Sequence, residues 1–200
     1  MNKPSSFLSK TEILDASEQA LRRFGPDKTS VTDVAKLLGV SHGTLYRHFP
    51  SKAALREAVT ERWLDEKIIA PLIEIASHES ATVTPLQQIR QYIVKLIELK
   101  QSYAVEDPEM FKMYASVTAE AGDLIEAHLD RIVNYMSLII FRGVQSKSIK
   151  ELSEPKVLAR SILQATTGFH HPAHAYAWQN PSIQEDFNVL WRLLEQGLVV

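Results

Sequence analysis

Residues 29–52 read TSVTDVAKLLGVSHGTLYRHFPSK, and this stretch decides the fold. Ser30 and Asp33 stand three apart, an S-x-x-D capping box that starts a helix. Val34, Leu37 and Leu38 supply its apolar face at helical spacing. Gly39 ends it, because glycine enters a left-handed turn without steric cost. Ser41 caps a second helix, on which Leu45 and Phe49 turn inward one turn apart. His42, Gly43, Thr44, Tyr46, Arg47 and His48 are left on its outer face. Small, polar and basic side chains are what a helix lying in a DNA major groove requires. Helix, tight turn and second helix make a helix-turn-helix reader.

Upstream, Ser9 and Glu12 form another capping box. Ile13, Ser17, Ala20, Leu21 and Phe24 make the inner stripe of an opening helix that Gly25-Pro26 stops. With these residues in place the segment resembles the DNA-binding domain of tetracycline-repressor-type (TetR-like) transcriptional regulators. The match runs through Thr29-Ser30-Val31, Val34-Ala35, Gly39-Val40-Ser41, Gly43 to Phe49, Ser51-Lys52 and Leu55. It extends back to Ile13-Leu14, Ala20 and Phe24-Gly25. It covers roughly the first quarter of the chain, and a dozen positions in register are far more specific than a bare G-V-S turn.

The resemblance implies an all-α homodimer. A three-helix DNA-binding head is expected over residues 1–52, and a helical effector-binding and dimerisation body over 53–200. It implies a cytoplasmic regulator, a repressor, that holds a palindromic operator in double-stranded DNA until a small molecule bound in the body releases it. Carried over position by position, it makes Tyr46, His48 and Lys52 phosphate grips. Ser30 or its backbone amide, at a helix N-terminus, binds another phosphate. Thr32, His42, Gly43, Thr44 and Arg47 reach base edges or adjacent phosphates. Arg47 suits a bidentate guanine contact, worth ~1–3 kcal/mol of discrimination. Plainer readings stand beside these: Tyr46 as a half-buried aromatic, His48 as a packed imidazole, Lys52 as a solvated charge.

Charge agrees with the motif. Residues 1–56 hold nine Lys/Arg against five Asp/Glu, a balance of +4. The rest holds thirteen against nineteen, a balance of −6. A basic head on an acidic body suits a protein that presents one end to phosphates, although four charges is a modest excess. There is no cysteine, which excludes disulfides and thiolate metal sites. No apolar run approaches the ~18 residues of a membrane span, and MNKPSSFLSK lacks the apolar core of a signal peptide. These features read as a soluble chain without membrane contact.

Further helices are expected from Ser51 to Pro71 or slightly beyond, from 85 to 103, after Glu106-Asp107-Pro108, from 123 to 144, from 154 to 175 and from 182 to 198. Residues 78–84 (HESATVT) and 146–153 read as loops. On the 85–103 helix, Leu86, Ile89, Ile93, Leu96, Ile97 and Lys100 share one broad face. The body is rich in large soft side chains. Trp63, Tyr103, Phe111, Tyr114, Tyr135, Phe169 and His170 are the candidate effector pocket, with ordinary core as the competing reading. Leu158, Ile162, Phe187, Leu190, Trp191 and Leu194 on the last two helices are the candidate dimer surface.

His170, His171 and His174 invite a metal reading. Pro172 interrupts the helix between them, and HHPAH is not H-E-x-x-H. They are read first as pocket wall or subunit interface, with a metal site as the alternative, and the chain is assigned no metal and no cofactor. An enzyme is disfavoured because the chain offers no nucleophile–base pair and no glycine-rich phosphate loop. A DNA-binding architectural protein without a ligand is the remaining alternative.

Overall fold

The computed structural model describes residues 8–78 and 82–200 and is helical almost throughout. The opening helix α1 spans Lys10–Phe24, α2 spans Val31–Leu38 and α3 spans His42–His48. Each begins as its sequence dictates. The Glu12 amide donates to Ser9 Oγ at 3.1 Å while Glu12 Oε2 accepts from the Ser9 amide at 2.8 Å. Ser30 and Asp33 repeat the same reciprocal box on α2. Ser41 Oγ accepts from the Thr44 amide on α3 at 3.3 Å.

The turn between α2 and α3 is closed by two backbone bonds. Val40 N–H donates to the Ala35 carbonyl at 3.1 Å, and Gly39 N–H to that of Lys36 at 3.2 Å. That pair is a Schellman closure, and it places Gly39 at φ 65°. Only a residue without Cβ holds that conformation cheaply.

The helix α4 covers Lys52–Leu64, with Ser51 Oγ accepting from the Ala54 amide at 3.0 Å. The helical path then runs on well past Pro71. A π turn at Asp65–Ile69 leads into α5, Ala70–Ser77. Pro71 lacks an N–H, and its ring would press on the carbonyl of Lys67 in a regular helix, so a widened turn accommodates it. The loop expected over 78–84 falls partly on 79–81, outside the described residues.

Then follow α6 (Pro85–Glu106), α7 (Pro108–Glu120) and α8 (Gly122–Gln145). The single helix expected over 154–175 is three pieces: α9 (Pro155–Ala165), α10 (Thr167–His170) and a 3₁₀ segment, Pro172–Ala177. Pro172 drives the second break, because it pushes His171 into extended backbone, φ −82° and ψ 131°. The last helix, α11, spans Ile183–Leu198. Among the described residues there is no strand, only one isolated bridge between Ile149 and Val199. No helix there is long and apolar enough to cross a membrane.

Packing divides the chain into two units. The first comprises the described residues up to Arg62 together with Asp107–Ala121. The second comprises Trp63–Glu106 and Gly122–Val200. The division therefore falls near the end of α4 rather than at residue 52, and α7 groups with the head helices. Arg22 explains part of that grouping: its Nε and Nη2 fork onto the Asp107 carboxylate, Nη2 at 3.0 Å.

The first unit buries Ile13, Ala16, Ala20 and Leu21 of α1, Val31, Val34 and Ala35 of α2, and Leu45 and Phe49 around α3. Two residues read as inward face outward. Phe24 and Leu37 are both exposed, and the guanidinium of Arg23 lies 5.2 Å from the Phe24 ring centroid. In the second unit α6 is the central helix, buried along Leu86, Ile89, Tyr92, Ile93, Leu96 and Lys100.

Candidate nucleic-acid interface and body site

The short helix α3 is two-faced by construction. Leu45 is 1% exposed and Phe49 is buried, so the helix is anchored by one side. Thr32, His42, Gly43, Tyr46, Arg47 and Lys52 are exposed, and Ser30, Thr44 and His48 are half-buried. All nine candidate DNA contacts thus retain access to solvent, and eight of them lie on α2, on α3 or at the start of α4, with Ser30 as the α2 cap.

Several of these side chains are steered by neighbours. The rings of His42 and Tyr46 meet edge-to-face at 4.6 Å, which sets the direction of the phenol. Thr44 Oγ1 lies 2.9 Å from Ser41 Oγ and 3.5 Å from Arg47 Nη2, its weak donor. The guanidinium of Arg47 therefore has no strong internal commitment. Ser30 is different. Its hydroxyl donates to Asp33 and accepts from the Asp33 amide, so its own side chain is occupied. Its backbone amide is also taken, by Asp33 Oδ2 at 3.0 Å. The donors left for a phosphate at that helix start are therefore the amides of the next residues, Val31 and Thr32. The same bonds from Ser30 hold the Asp33 carboxyl below its usual range, helped by nearby Lys36 and Lys52.

Gly43 sits in helical backbone with open space around it. A Cβ built there would meet only Ser41 Oγ, at 4.0 Å. Nothing inside the fold demands glycine at this exposed position.

In the body, Trp63 and Tyr103 form an edge-to-face pair at 5.4 Å. Phe169 pairs with Phe187 at 5.4 Å, and Tyr135 is half-buried. Phe111 and Tyr114 are buried and paired at 5.8 Å, but on α7, which belongs to the first unit. The seven pocket candidates are thus split between the units. His170 is 6% exposed, with Nε2 at 3.3 Å from both Thr166 Oγ1 and the Leu163 carbonyl. Burial above all, and then Lys100, drives its pKa down to about 3. His171 Nδ1 accepts from the Ala173 amide, and among the described residues no group of three or more His, Asp or Glu side chains is arranged to hold a metal.

Two body residues escaped the sequence reading as site candidates. Lys100 is 2% exposed and His128 is 5% exposed. Both lie in the apolar register of their helices: Lys100 follows Ile93 and Leu96, and His128 falls between Ile125 and Ile132. A cation and an imidazole on a buried stripe were the available signal.

Of the dimer candidates, Ile162, Phe187 and Trp191 are buried within the subunit, and the Phe187 and Trp191 rings stack at 6.3 Å. Leu158, Leu190 and Leu194 are half-buried. The exposed large apolar side chains on α9 and α11 are Val157, Val189 and Leu193, the last 64% exposed.

Head geometry of this kind defines a helix-turn-helix DNA-binding protein. Residues 13–59 match the model of bacterial regulatory proteins of the tetR family, and residues 85–191 match that of the tetracyclin repressor-like C-terminal domain. The chain belongs to the tetR family of transcriptional regulators. Among its relatives, the nucleoid occlusion factor SlmA of Photobacterium profundum is 33% identical over 197 residues, covering 94% of this chain and 95% of the relative. SlmA of Idiomarina loihiensis is 24% identical over 196 residues, 95% of each chain. Solved structures share the fold. The regulator FadR from Bacillus subtilis, in complex with stearoyl-CoA, superposes with a TM-score of 0.63 at 20% identity, covering 94% of this chain and 99% of that one. SmeT, repressor of the Stenotrophomonas maltophilia multidrug efflux pump SmeDEF, gives 0.60 at 17% identity, covering 96% and 91%.

Proposed function

We propose that this regulator is a homodimeric repressor that grips a palindromic operator with paired α3 helices and lets go when a small molecule occupies the body. The observation that carries this reading is the division of α3: Leu45 and Phe49 are buried, while His42, Gly43, Tyr46 and Arg47 are exposed. In the proposed complex Arg47 reads a base edge. Tyr46, His48 and Lys52 hold phosphates, and the amides at the start of α2 take one more. A lone three-helix head makes too few contacts for useful specificity, and two heads on a two-fold axis read two half-sites. Val157, Val189 and Leu193, with half-buried Leu158, Leu190 and Leu194, supply the apolar surface for pairing. Repression and ligand binding are in keeping with the solved neighbours SmeT, a repressor, and FadR, with its bound stearoyl-CoA.

The test is selection of bound duplexes from a random DNA library by the purified protein near physiological salt. The expected result is an enriched two-fold palindrome whose affinity drops at least tenfold on Arg47→Ala. Only weak, salt-sensitive binding without an enriched sequence would overturn it.

A second reading is favoured by the name its relatives carry. A nucleoid occlusion factor makes the nucleoid itself the signal, which calls for binding sites across the chromosome rather than at one promoter. Chromatin immunoprecipitation separates the two: one or a few promoter sites support the repressor, and dispersed copies of the palindrome support the occlusion factor.

A further inference from the structure

Deep in the body, basic groups from three helices are gathered toward one end. Arg142 Nη2 donates to Gln88 Oε1 at 3.1 Å, and Tyr92 Oη donates to the Ile132 carbonyl at 3.0 Å. As α6 ascends from 88 to 92, its partner on α8 descends from 142 to 132, so the two helices run antiparallel. Lys100 lies beyond Tyr92, and His128 lies one turn beyond Ile132. Both therefore sit toward the same end of the pair. Gln101 Nε2 donates to the Phe169 carbonyl at 3.1 Å, which brings α10 and His170 to that end of α6 as well.

His128 decides what this arrangement is for. It is almost wholly buried, and neither Nδ1 nor Nε2 has a hydrogen-bond partner. A buried imidazole with both nitrogens unsatisfied gives up the hydration those atoms have in the unfolded chain and gains nothing in return. Such groups in native folds call for an explanation, and a ligand-binding role is one. Beyond burial itself, the interactions acting on His128 come from Lys100, Arg131 and His170, all basic groups. The charges acting on His170 come from Lys100, His171 and His174, again all basic. Asp65, on the π turn, is ion-paired with Arg131, and Asp130 with Arg160. Tyr103, one turn along α6 from Lys100, stacks edge-on to Trp63 and gives the site an aromatic side.

We propose that the effector is an organic acid, whose carboxylate seats against His128 between Lys100 and His170 and whose apolar remainder lies toward Trp63 and Tyr103. This rests on the ligand-responsive reading above and names the chemistry of that ligand. A carboxylate supplies an acceptor to one of the two ring nitrogens once His128 takes up a proton, and it offsets the positive charge so created. Inorganic phosphate shares the charge but has no apolar part.

The full-length protein is titrated with straight-chain carboxylates from acetate to palmitate and with arylalkanoates, following Trp fluorescence and melting temperature. The corresponding amides and inorganic phosphate serve as controls. Operator affinity is measured in parallel. The expected result is that at least one acid binds, its amide binds at least tenfold more weakly, and phosphate does not compete. Lys100→Met and His128→Leu each weaken that acid at least tenfold and leave the ligand-free operator affinity unchanged. A second readout is net proton uptake on binding, seen as a buffer-dependent heat, for the acid and not for the amide.

Binding of no acid, equal binding of acid and amide, phosphate competing as well as the acid, or unchanged affinity in both variants would each overturn the proposal. If an acid binds as expected but operator affinity does not change, the site stands and the ligand-responsive reading falls. If a neutral compound releases the operator and no acid binds, that reading stands and this site falls.

Discussion

Glu18 accepts from Arg62 at one carboxylate oxygen and from Arg22 at the other, Arg62 Nε at 3.0 Å and Arg22 Nη1 at 3.0 Å. One acid on α1 thereby holds the final residue of the head unit on α4 and, through Arg22, the Asp107 carboxylate ahead of α7. The Glu18 and Arg62 side chains are only 14% and 19% exposed, so solvent screens this pair less than an ordinary surface pair. Glu18→Gln keeps the shape and removes the charge from two guanidinium contacts. It is expected to cost about 1–2 kcal/mol, at the lower end of what hydrogen bonds to charged groups contribute. Urea unfolding of the parent and variant measures this, and an unchanged midpoint would show that the network adds nothing.

Gly43 offers a cleaner separation of folding from binding. Because a Cβ at this helical position meets open space, Gly43→Ala is expected to stabilise the head by roughly 0.5–1 kcal/mol, the usual gain of alanine over glycine within a helix. The same methyl would stand between α3 and a groove floor, so operator affinity is expected to fall about tenfold. Raised stability with unchanged affinity would mean that DNA does not approach this residue closely.

His128→Leu is expected to raise the stability of the ligand-free protein by on the order of 1 kcal/mol, because it removes two unsatisfied nitrogens from the interior. The effect carries a pH signature. Burial, with Lys100, Arg131 and His170 around it, holds the His128 pKa well below its ordinary 6.5, and His170 is held at about 3. Below pH 6.5 the unfolded chain therefore binds protons that the native state refuses. Stability attached to each neutral imidazole is complete above about pH 7 and is lost as pH falls from 6.5 toward the folded value. The advantage of His128→Leu over the parent should be constant above pH 7 and grow between pH 6.5 and 5. Denaturant midpoints across that range check it, and a pH-independent difference would remove the titration argument.

Leu193 is the most exposed apolar side chain on α9 and α11. Leu193→Glu is expected to weaken self-association on the order of a hundredfold, with little change in the melting of the subunit. Sedimentation velocity over a concentration series shows the shift, and operator binding weakens with it. An unaltered dimer would place the pairing surface elsewhere.

The head was legible in the sequence because its decisive interactions are local. Ser9 with Glu12, Ser30 with Asp33, Gly39 with Ala35 and Lys36, and Ser41 with Thr44 all act within about one helical turn. A capping box or a left-handed glycine works wherever the chain carries it. Family, helical class and the exposed set on α3 followed from such signals. The two-sided apolar helices were another matter. Phe24 and Leu37 belong to apolar stripes yet face solvent, while Ile162, Phe187 and Trp191 are consumed inside the subunit. Which edge of a broad stripe is covered depends on helices dozens of residues away, and no local pattern specifies them.

The body site is the clearest instance. Lys100, His128 and His170 come from three separate helices; in the sequence Lys100 and His128 each stand alone as one polar residue on an apolar face, and His170 reads as part of the His170-His171-His174 cluster. Only the antiparallel seating of α6 on α8 and the Gln101–Phe169 bond that draws in α10 bring them together. The chain itself determined the caps, the turn and the reading helix, because those energies reside in neighbours along the sequence. Tertiary structure decided where charge is buried, because desolvation is set by whatever surrounds a group in space.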